Sequence, residues 1–356
     1  MDANASRFQE LVSAEYAGVA PGYLNTATHG LPPARTAAAL RSALDAWAAG
    51  RPDVDGYEAA VTAARAAYAG LVGVAVDRVA LASTVAGAVG LVASALPPGS
   101  EVVAYEGDFS SLVHPFAARG DLRLRLVPLE GVAEAVRPST ALVAVSGAQS
   151  ADGRVADLAA IRSAAAAAGA RVLIDGTQSV GWLPIRAGDY DYVVAHGYKW
   201  LVSPHGACFL TVREGAEGSL SPAFAGWYSA LDPWGSCYGP VEHLAPGARA
   251  FDARPAYLSF VGAAASLSLL TELGVAAVHA HDVALAGRLR AGFEALGHPA
   301  VPGDSAIVSV ARPPSSFADR LSAAGVRFST PLGTLRFAVH LHNTAADVDR
   351  VLNALA

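Results

Sequence analysis

Val172-Leu173-Ile174-Asp175-Gly176-Thr177-Gln178-Ser179-Val180-Gly181 reads as an apolar strand that ends in a carboxylate and opens into a polar turn. A second apolar run, Tyr192-Val193-Val194-Ala195, ends in His196-Gly197-Tyr198-Lys199-Trp200. Short unbroken apolar runs bounded by glycine are those of strands buried on both faces of a parallel sheet. Laid side by side, two such strands bring Asp175 and Lys199 to one edge. That is the edge at which open α/β sheets bind ligands.

Strand and helix patterns alternate outward from this stretch. Strands are expected near 79–82, 101–104, 123–127, 141–145, 171–175, 191–195 and 206–212. Helices are expected near 34–49, 57–72, 83–96, 109–119 and 155–168. This alternation predicts an α/β fold with a mostly parallel seven-stranded sheet. The same edge then gathers Glu106-Gly107-Asp108-Phe109-Ser110-Ser111, and the 146–153 loop with Gln149 as a substrate-side candidate. Ser83-Thr84-Val85-Ala86 follows a strand and opens a helix, an outline for anion binding by free N–H groups. Tyr23 to Pro33 is a polar loop ending in Pro-Pro; Asn25 and His29 are its candidates for contact with a small ligand.

Composition changes after about 213. Residues 225–240 are aromatic, glycine-rich and irregular, and so long a loop is usually functional. Helices near 255–273, 278–295, 315–324 and 344–355, with strands near 306–311, 326–329 and 334–340, predict a small α+β unit. The expected division is an N-terminal arm over 1–20, a large domain over 21–245 and a small C-terminal domain over 246–356.

The chain of 356 residues is 53% hydrophobic and 16% charged, with a net charge of −6. No basic run points to nucleic acid. Mean hydropathy is +0.35, mostly from alanine, and no apolar window is long enough for a membrane span. The first residues carry no basic-then-apolar leader, and two cysteines make no disulfide framework, so the expected location is the cytoplasm. His340 and His342 share a strand face, but no carboxylate or cysteine stands near them in sequence, and no metal is expected.

Lys199 is the only lysine, against 24 arginines. Where arginine fills every other basic position, a lysine at an apolar strand end points to chemistry that only an amine performs. Pyridoxal phosphate needs a lysine to hold it as a Schiff base, a carboxylate at its ring nitrogen, a polar group at its ring oxygen, a flat group on its face and donors for its phosphate. In that order the candidates are Lys199, Asp175, Gln178, Phe109, and Thr84, Val85 and Ala86 with His196. Tyr198 adds a phenol beside the lysine.

At these residues the chain resembles the class V aminotransferase and cysteine desulfurase family, enzymes of fold-type I that use pyridoxal phosphate. Residues 172–181 are similar to its aspartate-and-glutamine motif, and His196 to Leu201 with Ser203-Pro204-His205-Gly206 to its lysine motif. Ala248 to Pro255 resembles the stretch after its irregular loop, and Leu335-Arg336-Phe337 through Thr344 its C-terminal arginine motif. The resemblance implies a homodimer acting on an amino acid. It implies that Arg336 grips the substrate carboxylate and that Trp227 lies near the partner's cofactor. Two departures stand out. Phe109 occupies the place where desulfurases stack a histidine, and no cysteine lies between Ala311 and Arg336. β-Elimination at a C–S bond is the expected reaction, with amino transfer, epimerisation or a catalytically inactive binding module as the rivals.

Overall fold

In the computed structural model the described residues are 3–356; Met1 and Asp2 of the expected arm lie outside them. The N-terminal segment forms α1 (Ala3–Glu15), followed by α2 (Ala34–Ala48) and α3 (Val54–Val72). α3 starts where the Asp53 carboxylate accepts the Gly56 N–H and stops at Gly73, whose φ of 71° suits glycine.

Seven strands then build one sheet: β1 (Val79–Ala82), β2 (Glu101–Tyr105), β3 (Arg123–Val127), β4 (Thr140–Ser146), β5 (Arg171–Asp175), β6 (Tyr192–His196) and β7 (Cys208–Val212). Their spatial order is β1-β7-β6-β5-β4-β2-β3. The block from β3 to β6 is parallel, and β7 runs antiparallel between β6 and β1. The seven-stranded, mostly parallel sheet expected from the sequence is therefore present.

Alternate residues of each strand enter two separate cores. Val143, Val172, Ile174 and Val193 face one, which α3, α6 (Leu158–Ala168) and α7 (Tyr257–Leu273) cover. Leu142, Leu173, Tyr192 and Val194 face the other, under α4 (Val85–Ala95) and α5 (Ser110–Ala117). Burial on both faces explains why these strands read as unbroken apolar runs. β3 is the exception: at the sheet edge its Arg-Leu-Arg-Leu-Val sequence stays partly exposed.

A third core holds Leu289, Phe293, Val308, Phe317, Leu321, Phe337, Val348 and Val351. It lies among α8 (Val275–Ala295), β8 (Ile307–Val310), α9 (Ser316–Ala323), β9 (Leu335–Ala338) and α10 (Ala345–Leu355). Phe260, Leu267 and Leu270 of α7 belong instead to the first core. Leu24, from the N-terminal segment, joins the third. No strand forms at 326–329. Arg327 bridges Tyr23 and Ser329 bridges Arg336, so the segment serves two partners by single bridges. Gly325 (φ 74°) and Pro331 close it on either side.

Among the described residues no single helix is long and apolar enough to cross a membrane. α7 and α8 meet that description only jointly, across an 83° bend.

Candidate active site

The carboxyl ends of β4, β5 and β6 place Ser146, Asp175 and His196 along one rim. Ser146 and Asp175 are partners in register, and the Gly147 N–H donates to the Asp175 carbonyl at 2.9 Å. A cavity of about 160 Å³ opens there, lined by Asp175, Gln178, His196, Tyr198, Lys199, Phe109, Thr84 and Val85 among others. Phe109 and Thr84, 90 and 115 residues before Lys199 in sequence, thus converge on it.

Lys199 is buried, and burial pulls its amine down to about 8, against a smaller upward pull from Asp175. Its Nζ lies 5.3 Å from the centre of the Phe109 ring and 5.4 Å from that of Tyr198. Asp175 is buried too, and its carboxyl rises to about 6 for the same reason, although it accepts the Thr177 N–H at 2.9 Å. An acid that resists ionising and an amine that resists protonation in one cavity mark a functional site.

The lysine sits on a tight turn. The Val202 N–H donates to the Lys199 carbonyl at 3.1 Å, and Val202 has a φ of 46°. A left-handed conformation costs a β-branched residue about 1–2 kcal/mol. Gly30 packs on this turn so closely that a Cβ there would stand 1.9 Å from the Lys199 carbonyl oxygen.

At the other end of the cavity, Thr84 caps α4 by accepting the Gly87 N–H at 3.1 Å. The first-turn N–H groups of α4 remain as donors. His196 accepts the Gly206 N–H at Nε2 (3.1 Å), so its ring is the neutral form with its proton on Nδ1. Burial holds it neutral, with its pKa lowered to about 4. A neutral donor beside a helix N-terminus suits a phosphate. Ala86 is exposed and does not line the cavity.

Other expected residues are placed differently. Gln178 lines the cavity, but its amide donates to the Ala27 carbonyl (2.9 Å) and Ser150 Oγ (3.0 Å), while its oxygen accepts the Trp200 indole N–H (2.9 Å). The donor expected at a ring oxygen is thus engaged in holding three segments together. Gln149 is buried away from the lining, with its amide near the Ser146 carbonyl at 3.3 Å. Trp227 also lies outside this lining, against Trp234 and under Arg254. Asn25 bridges Ala338, and its side-chain oxygen is buried with no hydrogen-bond partner among the described residues.

Arg336 stands next to the cavity. Its guanidinium donates to Thr28 Oγ1 at 2.7 Å and to the carbonyl and hydroxyl of Ser150, which lines the cavity. It is buried, its Nε has no partner among the described residues, and burial lowers its pKa to about 10. No carboxylate pairs with it among the described residues. A buried arginine without an acid is a prepared seat for a carboxylate.

Three residues at the site escaped the sequence reading. Asp108 accepts the Ser146 N–H (2.8 Å) and the Phe109 N–H (2.7 Å), which pins the loop carrying Phe109 to the end of β4. Ser150 joins Gln178 to Arg336. His205 stacks on Tyr198 at 3.8 Å and meets His29 at 3.3 Å. Asp108 and Ser150 lie within stretches assigned to the rim, but only the register shows which side chains turn inward. His340 and His342 hold no metal ligand set: no group of three metal-binding side chains exists among the described residues. His340 pairs with Asp282, and His342 bonds the Tyr23 carbonyl.

Pyridoxal phosphate fits these residues. A buried amine without a carboxylate partner, a buried carboxyl, an aromatic ring left 47% exposed beside the amine, and neutral donors at a helix start occur in one cavity. Residues 56–313, most of the chain, match the Aminotransferase class-V family. An uncharacterized aminotransferase of Bacillus subtilis, YcbU, is 31% identical over 61% of this chain and 60% of its own length. Kynureninase of Xanthomonas euvesicatoria is 35% identical over 52% of this chain and 45% of its own. Isopenicillin N epimerase of Amycolatopsis lactamdurans is 30% identical over 46% of each. The matches thus span 60% or less of these relatives' lengths. In fold, the cystine C–S lyase C-DES superposes with a TM-score of 0.84 at 21% identity, over 96% of this chain and 99% of that one. A C-DES variant with glycine linked to its pyridoxal phosphate has a TM-score of 0.86 at 21% identity, over 96% and 98%. With the family match over most of its length and a site fitted to the cofactor, the chain belongs to the class-V aminotransferase family of pyridoxal-phosphate-dependent enzymes.

Proposed function

We propose that the enzyme cleaves the Cβ–S bond of a cysteine-derived α-amino acid, with water consumed and pyruvate, ammonia and a thiol or persulfide released. The observation that carries this reading is where the sulfur chemistry of the chain is missing. Cys208 is buried in the core behind the sheet, and Cys237 is exposed on the 225–240 loop; neither lines the cavity. No cysteine precedes Arg336 in its own loop. Sulfur therefore has no side chain to be passed to, and it leaves with the product. The likeness to C-DES, a cystine C–S lyase, supports the same reaction.

Bound in the cavity, pyridoxal phosphate supplies an electron sink for the carbon bearing the amino group. Lys199 would hold it through Nζ and, once the substrate's amine has taken its place, the freed Nζ would move the α-proton, which its lowered pKa suits to neutral pH. Asp175 would hold a proton on the ring nitrogen. Arg336 seats the substrate carboxylate with its planar fork. Tyr198, whose phenol burial keeps protonated, has a proton to give to the leaving sulfur. Phe109, in the cavity beside the amine, would offer its face to the cofactor ring and cannot exchange protons, so acid–base work would stay with Lys199 and Tyr198.

A panel of amino acids and cysteine conjugates tests this. Pyruvate and ammonia in equal amounts from cystine or an S-substituted cysteine is the expected result. A keto acid retaining the side chain, with no ammonia released, would establish amino transfer, the reading that the similarity to YcbU supports.

A further inference from the structure

His340 and Asp282 form a pair with no exposed surface, Nδ1 to Oδ2 at 2.7 Å. Nε2 of the same ring lies 2.9 Å from the carbonyl oxygen of Trp200, the residue after Lys199. A carbonyl oxygen only accepts, so Nε2 carries a proton. A ring nitrogen facing a carboxyl at 2.7 Å needs a second proton between them. Whichever atom holds it, the pair has no net charge and Nε2 is a donor. The other oxygen, Asp282 Oδ1, is buried with no hydrogen-bond partner among the described residues. A buried pair that leaves an oxygen unpartnered is weak evidence of stabilisation; apolar residues of equal volume often do as well or better. Stability does not account for it.

Its location does. The turn from Lys199 to Val202 is strained at Val202, and a strained turn persists only when its surroundings over-determine it. Four contacts from four segments do so. The Gly30 N–H donates to the Tyr198 carbonyl at 2.8 Å. The Trp200 indole is held by Gln178. Ser266 of α7 donates to the Val202 carbonyl at 2.9 Å and meets Thr36 Oγ1 at 2.7 Å. His340 donates to the Trp200 carbonyl, and it is the contact nearest the lysine that comes from the C-terminal unit. Arg336 lies four residues upstream on the same segment.

We propose that His340 is a positioning residue for Lys199: through the Trp200 carbonyl it fixes the strained turn, and so sets the reactive amine in register with Arg336. Asp282 acts through His340, by holding the tautomer that keeps Nε2–H in place. The groups around the pair are His281, His342 and Tyr16, whose own pKa shifts include interactions with Asp282 or His340. The proposal rests on the roles given above to Lys199 and Arg336.

Because the chain has one lysine, acetylation by acetic anhydride followed by peptide mass reports on this one side-chain amine in the full-length apoprotein. The pH midpoint of its reactivity is expected near 8 in the wild type. In His340→Phe the turn relaxes, the amine gains water, and the midpoint rises by about one unit. Asp282→Asn keeps the wild-type midpoint, since its amide donates to Nδ1 and leaves Nε2–H on the ring. Ser266→Ala loosens the same turn from α7 and raises the midpoint by less; it decides the matter should His340→Phe fail to fold. Unchanged midpoints in His340→Phe and Ser266→Ala, with only a lower melting temperature, overturn the proposal. So does a ¹⁵N spectrum showing His340 Nε2 unprotonated in the wild type. Failure of the underlying reading looks different: the wild type then binds no pyridoxal phosphate, and Lys199→Ala alters no absorbance.

Discussion

Asp175 and Lys199 work against the stability of the empty protein. Asp175 ionises near pH 6 when folded and near 4 when unfolded, so the folded state binds the extra proton between those values. Its contribution is present at low pH and is lost as pH rises through 6. That amounts to about 2–3 kcal/mol against folding at neutral pH. Lys199 titrates near 8 folded and near 10.5 unfolded, so its contribution is lost as pH falls through 8. Asp175→Asn and Lys199→Met should therefore raise the apoprotein's melting temperature at pH 7. The gain in Asp175→Asn vanishes below pH 4, and that in Lys199→Met above pH 10.5; thermal scans across pH check both. The same variants should lose at least 100-fold in turnover, because each removes a group that acts on the cofactor. Lys199 was legible in the sequence because its residue type occurs once. Asp108 was not: one acid among several near the rim shows its use only when Ser146, 38 residues on, is seen to donate to it.

At the scale of elements, the turn after β6 depends on a loop from the far N-terminus. Gly30→Ala would drive a methyl into the Lys199 carbonyl, and the turn cannot yield without moving the lysine. A loss of several kcal/mol in stability is expected, or, if the protein folds, a cofactor dissociation constant raised at least tenfold. Denaturant titration and fluorescence quenching by the cofactor measure the two. Arg336→Ala, in contrast, should leave cofactor binding intact and raise KM for amino acids by 10²-fold or more, since it removes a charge-assisted grip on the carboxylate. The seven sheet strands and most helices stood within a few residues of where periodicity put them, since burial on one or two faces writes itself into the apolar pattern. The segment at 326–329 did not form a strand because its apolar alternation is served by two different partners, which no local pattern records.

For the whole molecule, two segments carry most of the exposed tryptophan and tyrosine surface, with leucine and phenylalanine beside it. Trp47 and Leu44 lie on α2, and Phe224, Leu231, Trp234 and Tyr238 on the loop after β7, each from 46% to 95% exposed. A lone subunit seldom leaves so much aromatic surface in water. Sedimentation should show a dimer, and Leu231→Glu with Trp234→Arg should shift it to monomer; a wild-type monomer at micromolar concentration would refute this.

The strand order also bears on how the chain is made. β1 pairs only with β7, and roughly 125 residues separate them in sequence. At ribosomal speed that is a wait of roughly 6–25 s. Until β7 emerges, Val79 to Ala82 is a strand without a neighbour. A nascent chain halted before residue 208 should therefore be cut by protease near residue 80 and be held by chaperones that bind apolar segments. One released past residue 212 should resist the cut near residue 80. The antiparallel strand that completes the sheet is thus also the point in synthesis at which β1 can first find its neighbour.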